Sequence, residues 1–303
     1  MNEELAQNSN IPVIKSTIVE YQTNWQDSLT DKLKDFKYPV IIKPASDSAA
    51  RRNMAFASNI NEVEKQLDIL FTQDNIFSNK THTNFIIQEY IEGEEFVVNS
   101  VAINNQHKIA GVLKNKKVGN RFLGLISITS NDIERGLKVV DYHNQCMQHL
   151  KLTYGMVHAE YIIDNKSGQP YILEVNNRIA GANIPYISNK CYHSDEVNLF
   201  LDLLENKNEV TQFDFNKIFS YGAIPYFSNY TNPDATKLDL SLIYSEHEAD
   251  VFNPGIVTKA NRGSGDVFDR VSSSVWLLND DLQKLNTDLD ILRNLEQAGK
   301  LFI

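Results

Sequence analysis

Three oxygen-bearing side chains stand at short spacing near the middle of this chain: Glu160, then Glu174 and Asn176 two residues apart. Glu160 lies in the apolar run Met156 to Asp164 and the other two in Tyr171 to Asn176, joined by Asn165-Lys166-Ser167-Gly168-Gln169, which holds hairpin-turn residues. Side chains alternate across a strand, so Glu174 and Asn176 share a face, and a hairpin brings them beside Glu160. Carboxylates with a neutral oxygen suit a hard cation such as magnesium, which bridges phosphate oxygens and keeps several waters. Arg178, two residues on, can neutralise a phosphate or a substrate carboxylate. A hairpin with one solvated polar face gives the same alternation. Against that, Ile172-Leu173-Glu174-Val175-Asn176 sets its polar groups inside a core-like strand, where a buried carboxylate needs a partner.

The elements that must position these groups follow from periodicity. A helix is expected around Trp25 to Phe36, and Tyr38 to Pro44 reads as a buried strand ended by proline, leaving Lys43 exposed to the next loop. Asn61 to Phe71 puts Val63, Leu67, Leu70 and Phe71 on one helical face, with Asn61 as N-cap. Phe85 to Ile91, Phe96 to Ile103 and His107 to Leu113 read as an antiparallel meander, the first two separated by the turn Glu92-Gly93-Glu94-Glu95. Asn131 to Leu152 is a long helix with Asn131 and Glu134 as a capping pair. Ser194 to Leu204 is a helix turning Val197, Phe200, Leu201 and Leu204 inward. Beyond it, Phe215 to Phe227 and Leu240 to Val257 are strand-rich, and Asp280 to Leu295 is amphipathic.

A chain of 303 residues, 42% apolar, is long enough for two or three compact lobes. A net charge of -10, with Lys114 to Lys117 as the longest basic cluster, argues against a nucleic-acid surface. Cys146 and Cys191 are too few and too distant for a disulfide framework or zinc site, so a reducing cytoplasm is expected. Neither an export signal nor a membrane-spanning run of about 18 apolar residues is present.

Leu173-Glu174-Val175-Asn176-Asn177-Arg178-Ile179-Ala180-Gly181, with His158-Ala159-Glu160 upstream, resembles the metal-binding signature of the ATP-grasp superfamily. The His-x-Glu form is similar to the carboxylate-amine and L-amino acid ligase branch. Val40-Ile41-Ile42-Lys43-Pro44 resembles the strand whose lysine contacts nucleotide phosphates, and Ile87 to Glu95 the segment between the two lobes. Ser46 to Met54 follows the phosphate loop, with Ala50 and Asn53 at glycine positions.

The resemblance implies an α+β ATP-grasp fold of two α/β lobes with nucleotide between them. Its expected divisions are a small lobe with an N-terminal extension at 1–90, a large lobe at 91–205 and a C-terminal α+β subdomain at 206–303. It implies an ATP-dependent ligase that joins a small carboxylate, such as an amino acid, to an amine through an acyl phosphate and releases ADP and phosphate. Glu160, Glu174 and Asn176 hold two magnesium ions, with manganese as a substitute, and Lys43 and Arg178 are the catalytic cations. Tyr90 and Ile91 read adenine through their backbone, Gln88 or Glu89 takes the exocyclic amine, and Glu95 holds the ribose. Ser48 and Arg52 meet phosphate, as does one of Lys114, Lys116 and Lys117, with Lys114 preferred. Tyr161, Arg121, Asn183 and Tyr186 are candidates for the substrate pocket, or packing and surface residues. The family's leading domain and first nucleotide lysine would fall before Met1, which makes a companion chain or a homo-oligomer an expected partner and a partner-dependent nucleotide-binding subunit the alternative function.

Overall fold

The computed structural model describes Leu5 and residues 11–46, 53–74, 80–104, 106–118, 121–207, 210–251 and 272–303. β1 (Ser16–Glu20), a 3-10 turn at Trp25–Ser28, α1 (Leu29–Leu33), β2 (Val40–Pro44), β3 (Ala55–Ala57), α2 (Ile60–Leu70) and β4 (Asn84–Glu89) build a smaller layer. Its strands run in the order β1-β4-β2-β3. Val40, Ile42, Phe85 and Ile87 are fully buried with Trp25, Leu33, Val63 and Leu67. Strand alternation therefore turns Ile41, Lys43 and Gln88 to the opposite face.

The cap of α2 is Asn59 and not the expected Asn61. Asn59 accepts from the Glu62 N–H at 3.0 Å, and the Glu62 carboxylate accepts from the Ser58 N–H at 2.8 Å. That reciprocal arrangement satisfies two donors that Asn61, already inside the first turn, cannot reach.

The remaining elements are β5 (Gly93–Ile103), β6 (Gln106–Val118), β7 (Arg121–Ser127), α3 (Ile133–Leu150), β8 (Gly155–Asp164), β9 (Pro170–Asn176), α4 (Ile184–Tyr192), α5 (Glu196–Leu204), β10 (Tyr221–Phe227), β11 (Glu246–Val251), β12 (Ser273–Asn279) and α6 (Leu282–Gln297). Their strands make an eight-stranded sheet, ordered β11-β12-β10-β7-β6-β5-β8-β9. The meander holds for β5 to β7, but β4 pairs with β1 and β2, so 92–95 crosses between sheets and is not a hairpin turn. Only glycine fits at the crossing, because a Cβ on Gly93 would meet the Ile163 carbonyl oxygen at 2.0 Å. The tail strands extend the same sheet, with β10 pairing to both β7 and β12. α6 packs Leu285, Leu289 and Leu292 with Leu277 in an apolar cluster of its own.

Two further expectations are corrected. The box before α3 is Thr129 with Asp132, not Asn131 with Glu134; the Thr129 N–H donates to Asp132 at 2.9 Å. α5 turns Glu196 and Leu199 inward and leaves Leu201 and Leu204 49% and 44% exposed. The buried Glu196 carboxylate fixes that face by accepting from the Ala180 N–H at 3.0 Å. No helix among the described residues is long and apolar enough to cross a membrane. Cys146 and Cys191 are buried free thiols, each pushed up to about 12 by burial.

α3 also carries a pH-sensitive group. His143 is fully buried, with its ring nitrogens 2.7 Å from the Tyr161 hydroxyl and 3.0 Å from Ser100 Oγ. Burial, and secondarily the adjacent His107, holds its pKa down at about 3 against an ordinary 6.5. The unfolded chain then binds a proton that the fold rejects, so this stability is complete above pH 6.5 and is lost progressively as pH falls toward 3. The expected result is a thermal midpoint that drops on acidification from pH 6.5, by at most ~1.4 kcal/mol per pH unit for this one group. Circular dichroism should show a flatter profile for His143→Gln.

Candidate active site on one face of the large sheet

Antiparallel partners share a face, so register carries one face of the large sheet from edge to edge. Glu174 pairs with Glu160 and Asn176 with His158, which in turn pair with Val97 and Asn99. Val97 pairs with Leu113, Asn115 with Leu125, and Leu125 with Ile224. Tyr226 pairs with Ser274, and Trp276 with Glu248. Four strand intervals separate β8 from β10 in the sheet order, roughly 19 Å if the sheet were flat. The Tyr226 phenol is nevertheless pushed up to about 12, first by burial and then by the Glu160 charge.

Lys43 reaches this face from the smaller sheet. Its Nζ donates to Gln88 Oε1 at 3.2 Å and to the Leu173 carbonyl at 3.4 Å. It is thus half-buried across the gap between sheets, not exposed to the following loop. Burial lowers its pKa, and the Glu174 and Glu160 carboxylates pull it back up. The Asn176 amide donates to Glu174 Oε1 at 2.8 Å. His158 Nε2 stands 3.7 Å from Glu160 Oε1, and Nδ1 lies 2.9 Å from Asn99 Oδ1.

Two register-paired carboxylates beside a neutral amide form a hard-oxygen donor set that fits magnesium. Among the described residues no group of three or more His, Cys, Asp or Glu side chains is arranged to hold a metal. A sparse set of this kind suits an ion that completes its shell with water and phosphate oxygens.

The other sequence candidates divide by strand parity. Glu95 is buried on the site face, where it pairs with Lys117 and accepts from Asn115 Nδ2 at 2.8 Å. Lys114 is a correction: it pairs with Phe96 on the reverse face, and its Nζ lies 2.6 Å from Asp132 and 3.4 Å from Glu94. Side chains of period two cannot all face a phosphate, and the basic group on the right side is Lys117. Gln88 shares the cleft face with Lys43, whereas Glu89 accepts from the Lys37 N–H at 2.9 Å. The Tyr90 N–H already donates to the Pro39 carbonyl at 3.0 Å, so an adenine contact to Tyr90 falls on its carbonyl. Ile91, half-buried, follows at the crossing to β5.

Arg178 lies two residues past β9 and donates to the Ile179 carbonyl at 2.8 Å. Tyr161 is fully buried against Tyr142 and His143 and packs, rather than lining a pocket. Asn183 and Tyr186, at the start of α4, do line a cavity. Ser48, Arg52 and the Arg121 side chain lie outside the described residues. Reasoning from sequence missed Asn115, Tyr226 and Glu196. Asn115 and Lys117 carry a signal in hindsight, being two apart and able to share a face with Glu95.

The loop that carries Arg178 is strained. Ala182 and Asn183 have φ of 55° and 58°, a left-handed conformation that costs a residue with a Cβ about 1 to 2 kcal/mol. Ala182→Gly is expected to stabilise the protein by ~0.5 to 1 kcal/mol after the added freedom of the unfolded glycine is subtracted. A higher denaturant midpoint at unchanged slope would be the observation.

Residues 36–186 match the family described as the ATP-grasp domain. The chain carries an ATP-grasp domain. Enzymes with this domain use ATP, typically with magnesium. Dapdiamide A synthase of Enterobacter agglomerans is 25% identical over 178 residues, covering 55% of this chain and 41% of that protein. The chain thus spans about two fifths of the length of the curated relative it matches. L-amino acid ligase from Bacillus licheniformis superposes with a TM-score of 0.73 at 15% identity, covering 97% of this chain and 70% of that one. The biotin carboxylase domain of Hydrogenobacter thermophilus 2-oxoglutarate carboxylase, solved with MgADP and bicarbonate, gives 0.64 at 12% identity, covering 92% and 61%. These structural likenesses establish the fold around the ATP-grasp domain, tail strands included.

Proposed function

We propose that this chain is an ATP-dependent carboxylate-amine ligase, in which a substrate carboxylate takes the terminal phosphoryl group and an amine then displaces phosphate from the acyl phosphate. The products are an amide or peptide bond, ADP and phosphate. The observation that carries the reading is Lys43 of the smaller sheet donating to the Leu173 carbonyl of the larger, next to Glu174, which is register-paired with Glu160. Its match to a named synthase and its likeness to an L-amino acid ligase support amide formation over other ATP-grasp chemistries.

The chain's own groups work by position and charge. Lys43, aimed by Gln88, offsets the charge that grows on the transferring phosphoryl group. Glu160, Glu174 and Asn176 would hold one or two magnesium ions, with manganese as a substitute; bound there, magnesium supplies further charge neutralisation at phosphate oxygens. Glu95, fixed by Asn115 and Lys117, accepts from ribose hydroxyls. Arg178 must leave the Ile179 carbonyl to hold the acyl phosphate. Calorimetry tests the site: magnesium-dependent ATP binding is expected for the wild type and at least a hundredfold weaker binding for Glu174→Ala/Asn176→Ala. Equal affinity with and without magnesium would refute the assignment.

A further inference from the structure

A cavity of about 390 Å³ opens on the site face between the start of α4 and the tail strands, lined by Asn183, Tyr186, Ile224, Glu248, Ser274 and Trp276. Its walls come from elements that the metal pair does not use. The Tyr186 and Trp276 rings stand with centroids 5.0 Å apart, tilted by 53°. Ile224 is a buried apolar floor. Glu248 is exposed opposite Trp276 across the β11–β12 ladder and makes no ion pair with any described residue.

The cavity adjoins the candidate active site along two routes. Asn183 ends the loop that carries Arg178, five residues earlier in the sequence. Ile224 pairs with Leu125, and Leu125 with Asn115, which donates to Glu95, so the cavity floor lies on the same sheet face as the candidate active site. Its volume is at the small end of ligand pockets, about 300 to 1,000 Å³, which fits one molecule of amino-acid size.

We propose that this cavity receives the amine substrate, and that the substrate class is an amine bearing a second, cationic nitrogen, held between the Glu248 carboxylate and the faces of Tyr186 and Trp276. The inference rests on the ligase reading for the identity of the reaction, while the cavity and its lining stand independently of it. The Lys190 ammonium already lies 5.5 Å over the Tyr186 ring, so the Trp276 face and the Glu248 carboxylate supply most of the attraction for an organic cation, through quadrupole and charge together, with Tyr186 as the packing wall. The nitrogen that attacks must be neutral, because its lone pair forms the new C–N bond. The acyl C–O bond to phosphate breaks with its electron pair leaving on phosphate, and the nitrogen's proton passes to solvent. The charge that Glu248 recognises therefore belongs to a different nitrogen, remote from the reacting one.

L-lysine and L-norleucine separate these roles, since they share an α-amino acid head and differ in the terminal ammonium. Titrated calorimetrically into the full chain with MgATP, lysine is expected to bind about tenfold more tightly than norleucine. The preference should disappear in Glu248→Gln and shrink in Tyr186→Leu; both substitutions are at exposed positions, and circular dichroism checks each variant's fold. Equal binding of the two ligands by wild type, or an undiminished preference in Glu248→Gln, overturns the proposal. MgATP titrations of the same proteins keep the two readings apart. MgATP bound without a lysine preference refutes the cavity assignment alone, and a Glu248-dependent lysine preference without MgATP binding refutes the ligase reading alone.

Discussion

Lys43→Met is expected to lower turnover by about 10² to 10³-fold, the cost of deleting one preorganised charge from a phosphoryl-transfer site. Methionine preserves the stem that packs between the sheets, so the fold should survive. The loss should be largest in ADP release at saturating substrate, since the interaction that disappears is strongest when charge builds on the transferring group. Stability is expected to fall modestly, because the relief of Lys43 desolvation is offset by leaving the facing Glu160 and Glu174 carboxylates without their cation and Gln88 without its donor. Turnover within threefold of wild type would remove Lys43 from the mechanism.

Asp288→Ala should produce the largest stability loss in the tail. Asp288 is fully buried on α6, and its carboxylate accepts from the Tyr244 N–H at 3.0 Å, the Ser245 N–H at 2.7 Å and the Ser245 hydroxyl at 2.5 Å. Deleting it strands three donors, at a cost of roughly 3 to 5 kcal/mol. These bonds fasten the segment leading into β11, the strand that carries Glu248. Urea denaturation should show the loss, and Asp288→Asn, which retains an acceptor, should recover part of it. A loss below about 1 kcal/mol would mean that water replaces the carboxylate easily.

The pairing of Glu160 with Glu174 was legible because a hairpin turn fixes which residues oppose each other. Lys43 was legible as a strand lysine, but its burial was not, because that depends on a second sheet distant in sequence. Lys114 and Lys117 could not be separated from sequence. The choice depends on strand parity, and register shifts between Asn99 and Ser100 and between Lys116 and Lys117 reset it without marking the composition. α4 was missed because its start follows two left-handed residues and contains Pro185, signals that read as loop. β12 hid behind Ser272-Ser273-Ser274, polar residues of which Ser272 and Ser273 are fully buried and Ser273 and Ser274 pair in the ladders with β10 and β11. The inward face of α5 was misread because a buried glutamate breaks the apolar pattern that would mark it.

β9 is one of the two edge strands of the large sheet, opposite β11. A strand in that place offers unpaired backbone groups to any second extended chain, and proteins protect such borders with charge. Glu174 and Asn176 interrupt what would otherwise be a continuous aliphatic border beside Ile172, Leu173 and Val175. The residues proposed to hold an ion thus also discourage copies of the protein from zipping together, so neutral aliphatic replacements there are expected to promote self-association. Glu174→Gln, which keeps the border polar, is the variant that isolates the loss of the ion.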